Sequence, residues 1–277
     1  MKKQNMRRIM QAAEQQIRKK PVVSTVYFVL RISVILVMVA QCFNRNFANV
    51  FLCFLTLVLL LLPTVLEQQL RIDFPDTLEI VIMLFVYAAE ILGEIRSFYT
   101  AFPYWDTMLH TLNGFLCAAI GFSLVDLFNR NERFSLSLSP FFMAIVAFCF
   151  SMTIGVLWEF FECTMDKLFL FDMQKDTVLH TISTVMLDPT GGNHTVILRD
   201  ISDVIVVSGG QQISLGLGGY LDVGIYDTMK DLFVNFIGAV VFSVIGYWYV
   251  KQRGKGRFAR RFIPRILDAR DENEKKE

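Results

Sequence analysis

The chain has 277 residues, 54% of them hydrophobic, with 26 phenylalanines and a formal net charge of +1. That apolar share lies above a soluble globular composition, and near-neutrality with the bases gathered at the two ends leaves no case for a nucleic-acid binder. Five cysteines (Cys42, Cys53, Cys117, Cys149, Cys163) show no C-x-x-C spacing and read as small core residues, not as a disulfide frame or a thiolate zinc site.

Residues 1–24 form a basic segment with Lys2, Lys3, Arg7, Arg8, Arg18, Lys19 and Lys20. Met6, Ile9, Met10, Ala13 and Ile17 recur at helical spacing. The pattern predicts an amphipathic helix on the cytoplasmic membrane surface, with a polar tail as the plain alternative. The apolar run from Thr25 is long and no small-x-small site follows it, which argues against a cleaved signal peptide.

Six apolar runs follow, at about 25–43, 48–66, 77–95, 106–127, 139–162 and 228–250. Each approaches the roughly 20 residues that a bilayer requires of a helix. The expected fold is an all-α polytopic bundle of six transmembrane helices in a membrane domain over 25–250. The basic N-terminus and the flank with Lys251, Arg253, Lys255, Arg257, Arg260, Arg261 and Arg265 should both be cytoplasmic, which an even number of spans satisfies. Arg71, Arg130 and Arg133 then fall in cytoplasmic loops, and residues 251–277 form a basic, then charged, cytoplasmic tail. The 163–227 segment becomes an extracytoplasmic insertion. It is Gly-rich and β-prone around 195–201, 204–207 and 212–220, with a turn signal at Asp188-Pro189-Thr190-Gly191-Gly192-Asn193. A small β-rich lid or cap is expected there.

Three polar clusters land at one depth under this topology. Span four opens with Asp106, His110 and Asn113 at spacings of four and three; span five closes with Glu159, Glu162 and Asp166; span six opens with Asp227, Lys230, Asp231 and Asn235. Glu90 and Glu94 end span three at the same level. Asp106 and Asp227 taken singly read as N-caps, and Asn113 and Asn235 as interhelical hydrogen-bond glue. Caps do not explain Glu159 and Glu162, which sit at the end of a helix that the dipole makes unfavourable for acids. Asn235 lies ~12 Å along its helix from Asp227, too deep for a cap. Five acids (Asp106, Glu159, Glu162, Asp227, Asp231) against His110 and Lys230 leave an excess of negative charge that a cation would balance. Oxygen-rich ligands with one imidazole fit a divalent ion such as Mg, Mn or Zn. The rival reading is an acid–His–Asn network that carries protons.

The residues Tyr104-Trp105-Asp106 with Leu109-His110, Trp158-Glu159-Phe160-Phe161-Glu162, Gln174-Lys175-Asp176 and Asp227-Thr228-Met229-Lys230-Asp231 with Asn235 resemble the bacterial YjdF-like inner-membrane proteins. The lead-in Gly219-Tyr220-Leu221-Asp222 is similar to versions described as membrane-spanning proteins in Gram-positive bacteria. The resemblance covers roughly spans three to six. It implies a bacterial plasma-membrane location, and supplies no substrate or catalytic residue.

Three functions are open on this reading. The first is a metal-dependent hydrolase or transferase acting on a lipid or lipid-linked envelope substrate. Asp106, His110, Glu159, Glu162, Asp227 and Asp231 would be its ligands; Glu159, Glu162 and His110 would be its acid/base groups. Asn113, Asp166, Lys230 and Asn235 would complete the polar site. The second is a cation- or proton-coupled transporter, weakened by the lack of a visible inverted repeat. The third is a non-catalytic membrane scaffold.

Overall fold

A computed structural model describes residues 20–70, 72–130, 138–252 and 256–266. The expected N-terminal amphipathic helix, Arg71, Arg133 and the tail beyond 266 lie outside the described residues. Two compact units divide the chain, one of Met1–Thr153 with Val234–Glu277 and one of Ile154–Phe233.

The first unit begins with α1 (Pro21–Phe43), where Pro21 occupies the first helical turn and its missing N–H is no loss. α2 (Phe47–Leu59) is capped by Asn46, whose side-chain oxygen accepts the Asn49 N–H at 3.1 Å. A turn at Leu60-Leu61 leads into α3 (Leu62–Leu70), and β1 (Ile72–Asp73) follows. α4 (Asp76–Tyr87) runs on as a π-helix over Ala88–Ile95. After the short α5 (Phe98–Ala101) come α6 (Trp105–Arg130), α7 (Pro140–Phe169) and α8 (Ile225–Lys251). A 3-10 turn at Ala259–Arg261 and β8 (Arg265–Ile266) end the described chain.

Among the described residues, five helices are long and apolar enough to cross a membrane: Pro21–Phe43, Phe47–Glu67, Trp105–Asp126, Pro140–Phe169 and Ile225–Lys251. They match expected spans one, two, four, five and six, with the fifth running seven residues past its expected end at 162. No Gly or Pro occurs between Glu162 and Leu170, where the backbone turns to φ 56° and the Leu170 N–H donates to the Asp166 carbonyl. The expected span at 77–95 is not among the five. Its helix carries Asp76, Glu79, Glu90 and Glu94, and it changes from α to π geometry halfway.

The first unit has two apolar clusters. Val34, Cys53, Leu60, Met83 and Ile91 join α1, α2 and the α4–π segment. Phe74, Leu78, Leu116, Phe122, Met143, Phe242 and Phe262 join α4, α6, α7, α8 and the C-terminal turn. Phe28, Ile32, Leu36 and Val39 remain exposed on α1, an apolar stripe that a soluble helix would hide and a lipid-facing helix displays. Between helices in lipid the hydrophobic effect adds little, so close packing and interhelical hydrogen bonds decide which helices meet.

In the second unit, residues between α7 and α8 form three two-stranded antiparallel pairs: β2 (Val178–Leu179) with β7 (Tyr220–Leu221), β3 (Ile182–Thr184) with β4 (Val196–Leu198), and β5 (Ile205–Ser208) with β6 (Gln211–Ser214). The last is a hairpin closed by Gly209-Gly210, both at positive φ, the geometry that matches a two-residue loop to strand twist. The expected turn at 188–193 is organised by Asp188, whose carboxylate accepts the Thr190 and His194 backbone N–H groups and the Thr190 hydroxyl. The His194 amide and then the Thr190 groups hold its acidity near a pKa of about 2, below the ordinary 3.8. A depressed carboxylate stabilises the turn above its ordinary value and loses that contribution as pH falls through the folded one. Hydrogen exchange should therefore show the Thr190 and His194 amides protected at pH 5 and unprotected near pH 2. In Asp188→Asn the pH step should vanish; a step that persists would assign it to another group.

Candidate functional site

α6 presents Asp106, His110 and Asn113 along one face, at spacings of four and three residues. Asp106 is the second residue of the helix, inside the first turn and not at the cap, where its charge still favours the dipole. Its Oδ1 lies 3.4 Å from His110 Nε2, so a carboxylate–imidazole pair is formed within one helix.

Asn113 has a different role. Its Nδ2 donates to Asn235 Oδ1 at 3.1 Å, and its own Oδ1 accepts from Cys117 Sγ at 3.5 Å. Asn235, fully buried, donates its Nδ2 to Met152 Sδ at 3.6 Å. Beside them, the Ser151 hydroxyl donates to the Gly114 carbonyl at 2.7 Å. Gly114 lies directly against the Asn235 backbone, and Gly238 against the Thr111 backbone. These residues form the crossing of α6 and α8. Asn113 and Asn235 are thus the interhelical glue that the plain reading allowed.

In the second unit, α7 ends with Glu159, Glu162 and Asp166, and α8 starts with Asp227, Lys230 and Asp231. Glu159 and Asp231 are 4% and 1% exposed. Glu162, also buried, accepts the Trp158 indole N–H at 2.8 Å through Oε1. Asp166 spends both oxygens on backbone, accepting the Met173 N–H at 2.7 Å and the Gln174 N–H at 2.9 Å. Asp227, the third residue of α8, accepts the Lys175 N–H at 2.9 Å and the Lys230 ammonium at 2.9 Å. Lys230 Nζ also lies 3.6 Å from Asp231 Oδ1. The Gln174 side-chain amide donates to the Thr228 hydroxyl at 2.5 Å. The Gln174-Lys175-Asp176 stretch is therefore a strap tied to both helix ends, and Asp166 and Asp227 are its fastenings.

Two residues of consequence were named in the sequence without a role. Asp222 accepts the N–H groups of Thr177, Gly224 and Tyr226 and seats the start of α8. Burial opposes its charge, but the Thr177, Tyr226 and Gly224 amides outweigh that and hold its carboxyl below the ordinary range. The signal was present as an Asp two residues before Gly224, whose φ is +82°. Asp176 is pushed the other way, by burial first and then by Asp172, Asp222 and Asp166. The second residue is Glu90. It was grouped with the span ends, yet it sits buried within the π-helix. Single π-turns inside helices are frequent at functional sites.

A family model described as "Predicted membrane protein (DUF2238)" matches residues 26–252. An uncharacterised protein of Thermotoga maritima is 27% identical over 124 residues, which cover 43% of this chain and 62% of that protein's length. No solved structure matches the chain. The helices long enough to span a bilayer and the match over residues 26–252 agree, and the chain belongs to the DUF2238 family of predicted membrane proteins.

Proposed function

We propose that the Asp106–His110 pair of α6 holds one divalent cation, and that the protein uses it to hydrolyse or transfer a polar group of a lipid or lipid-linked envelope substrate. The observation that supports this is the 3.4 Å approach of Asp106 Oδ1 to His110 Nε2 on one face of α6. A carboxylate oxygen and an imidazole nitrogen side by side are donors that suit a divalent ion such as Mg, Mn or Zn. Such an ion polarises a phosphoryl or carbonyl oxygen and lowers the pKa of bound water.

The topology we infer has six spans. Lys20, at the start of α1, donates to the Phe74 carbonyl, and β1 pairs with β8 beyond α8. The chain thus leaves and returns to one end of the first unit, which takes an even number of crossings. Asp76–Ile95 is the remaining helix that can supply the sixth. Seven bases between 251 and 266 support our reading of that end as cytoplasmic in a bacterial plasma membrane, with 163–227 outside.

Element analysis of purified protein, reloaded with Mg, Mn or Zn, tests the site. We expect one ion per chain, lost in His110→Ala and Asp106→Asn and kept in Asp227→Asn, since Asp227 is already committed to Lys175 and Lys230. An absence of metal after every reloading would end the metal reading. A second reading, cation- or proton-coupled transport, is favoured by Glu90 within the π-helix, since a buried carboxylate at a helix irregularity is what an ion path requires. Uptake into proteoliposomes that Glu90→Gln abolishes, with no bound metal, would select it.

A further inference from the structure

Residues 251–266 carry seven basic side chains and no acidic one. Residues 256–266 are not a loose tail. Ala259, Phe262 and Ile263 are each under 10% exposed within the core of the first unit. The Phe262 ring meets Phe115 edge-on at 5.1 Å, and Phe115 meets Phe242 of α8 at 5.0 Å. β8 then pairs with β1, setting Arg265 opposite Asp73, whose carboxylate already faces Lys20 at 3.1 Å. The segment is a strap with its apolar side pinned into the bundle and Arg257 and Arg261 exposed on the other side. At the exit of α8, the Lys251 ammonium lies over the rings of Trp248 at 4.8 Å and Tyr247 at 5.4 Å. Trp248 and Phe258 are about half exposed beside these bases, at 49% and 53%.

We infer that this strap is a binding surface for anionic phospholipid headgroups. Guanidinium groups pair bidentately with phosphate, and a pinned backbone presents them without the ordering cost of a free tail. The flanking Trp248, Tyr247 and Phe258 match the interfacial zone, where aromatic rings sit at headgroup level. A soluble anion would need the bases and not the rings, so a lipid is the occupant that accounts for both.

Native mass spectrometry of the full chain in detergent, with equal amounts of phosphatidylglycerol and phosphatidylcholine added, tests the inference. Phosphatidylglycerol should be retained over phosphatidylcholine by roughly tenfold or more, at the strength usual for a few bases near a charged leaflet. Arg257→Gln with Arg261→Gln should remove most of that preference, whereas Arg257→Lys with Arg261→Lys should keep it. The thermal midpoint of each variant shows whether it is folded; if the Gln pair is not, the wild-type preference and the Lys pair decide. Equal retention of the two lipids overturns the inference, as does an unchanged preference in the folded Gln pair. Displacement of phosphatidylglycerol by an equal concentration of inorganic phosphate overturns it too, by showing a site for free anions.

Discussion

Gly114→Ala and Gly238→Ala should each destabilise the folded protein more than any other glycine-to-alanine change at a helix contact. A Cβ at Gly114 would overlap the Asn235 carbonyl oxygen, and one at Gly238 would overlap the Thr111 carbonyl oxygen. Both obstacles are helix backbone, which cannot rotate away as a side chain can. Relief requires α6 and α8 to separate, and separation breaks the Asn113–Asn235 hydrogen bond in an apolar interior. We expect a cost of about 3 kcal/mol or more, at the upper end of overpacking effects. Gly246→Ala is the comparison. Its Cβ would meet only the Phe122 ring, at 2.7 Å, and a ring can tilt. Thermal unfolding followed by size-exclusion chromatography should rank Gly246→Ala well above the other two. Equal midpoints for the three variants would mean that the crossing is not the tight contact described.

Lys20→Met should be the most damaging change at the start of α1. The Lys20 ammonium reaches Glu67 at 3.0 Å, Asp73 at 3.1 Å and Glu79 at 3.2 Å, and donates to the Phe74 carbonyl at 2.7 Å. Its side chain is 15% exposed, and the Glu79 side chain 6%. Removing the cation strands three acids, and breaking such a pair from one side typically costs 3–5 kcal/mol. Burial by itself would lower the lysine pKa; Glu67 and Glu79, with Asp73, overcome this and raise it above the ordinary 10.5. A raised cationic pKa gives stability that is complete below the ordinary value and declines as pH climbs toward the folded one. The wild-type thermal midpoint should therefore fall as pH rises beyond about 10.5, and Lys20→Met should lack that share of the decline. Identical pH slopes for the two proteins would remove Lys20 from the account.

Much of the membrane architecture was legible in the residues. Five of the six apolar runs are spanning-length helices, because length and lipid-facing hydropathy are properties of a segment alone. In the insertion, β4, β5 and β6 fall on the stretches expected to be β-prone, whereas β2 and β3 lie outside them. A run of Val and Ile that ends on a Gly pair marks a hairpin locally, as at β5 and β6 around Gly209-Gly210. Helix 76–95 was read as one more span, and its α-to-π change was not visible. A π-turn adds a residue to the ladder without altering composition, and no side-chain periodicity over eight residues separates the two forms.

The polar site divides along the same line. That Asp106 and His110 share a helix face follows from spacing four, and the 3.4 Å pair confirms it. Which acids are taken up by backbone N–H groups does not follow from spacing. Asp166 and Asp227 look in sequence like Asp231, with similar neighbours and similar helix-end positions. The fold separates them, because the returning Met173-Gln174-Lys175 backbone brings N–H groups that take up Asp166 and Asp227. The sequence by itself determined a helical membrane protein with acids, one histidine and two asparagines grouped at a few helix ends. Only the tertiary structure decided that the asparagines lock α6 to α8 and that Asp166 and Asp227 fasten a strap. Hydrogen bonds to backbone N–H groups depend on where distant chain segments return, and that information is not carried by the residues on either side of an aspartate.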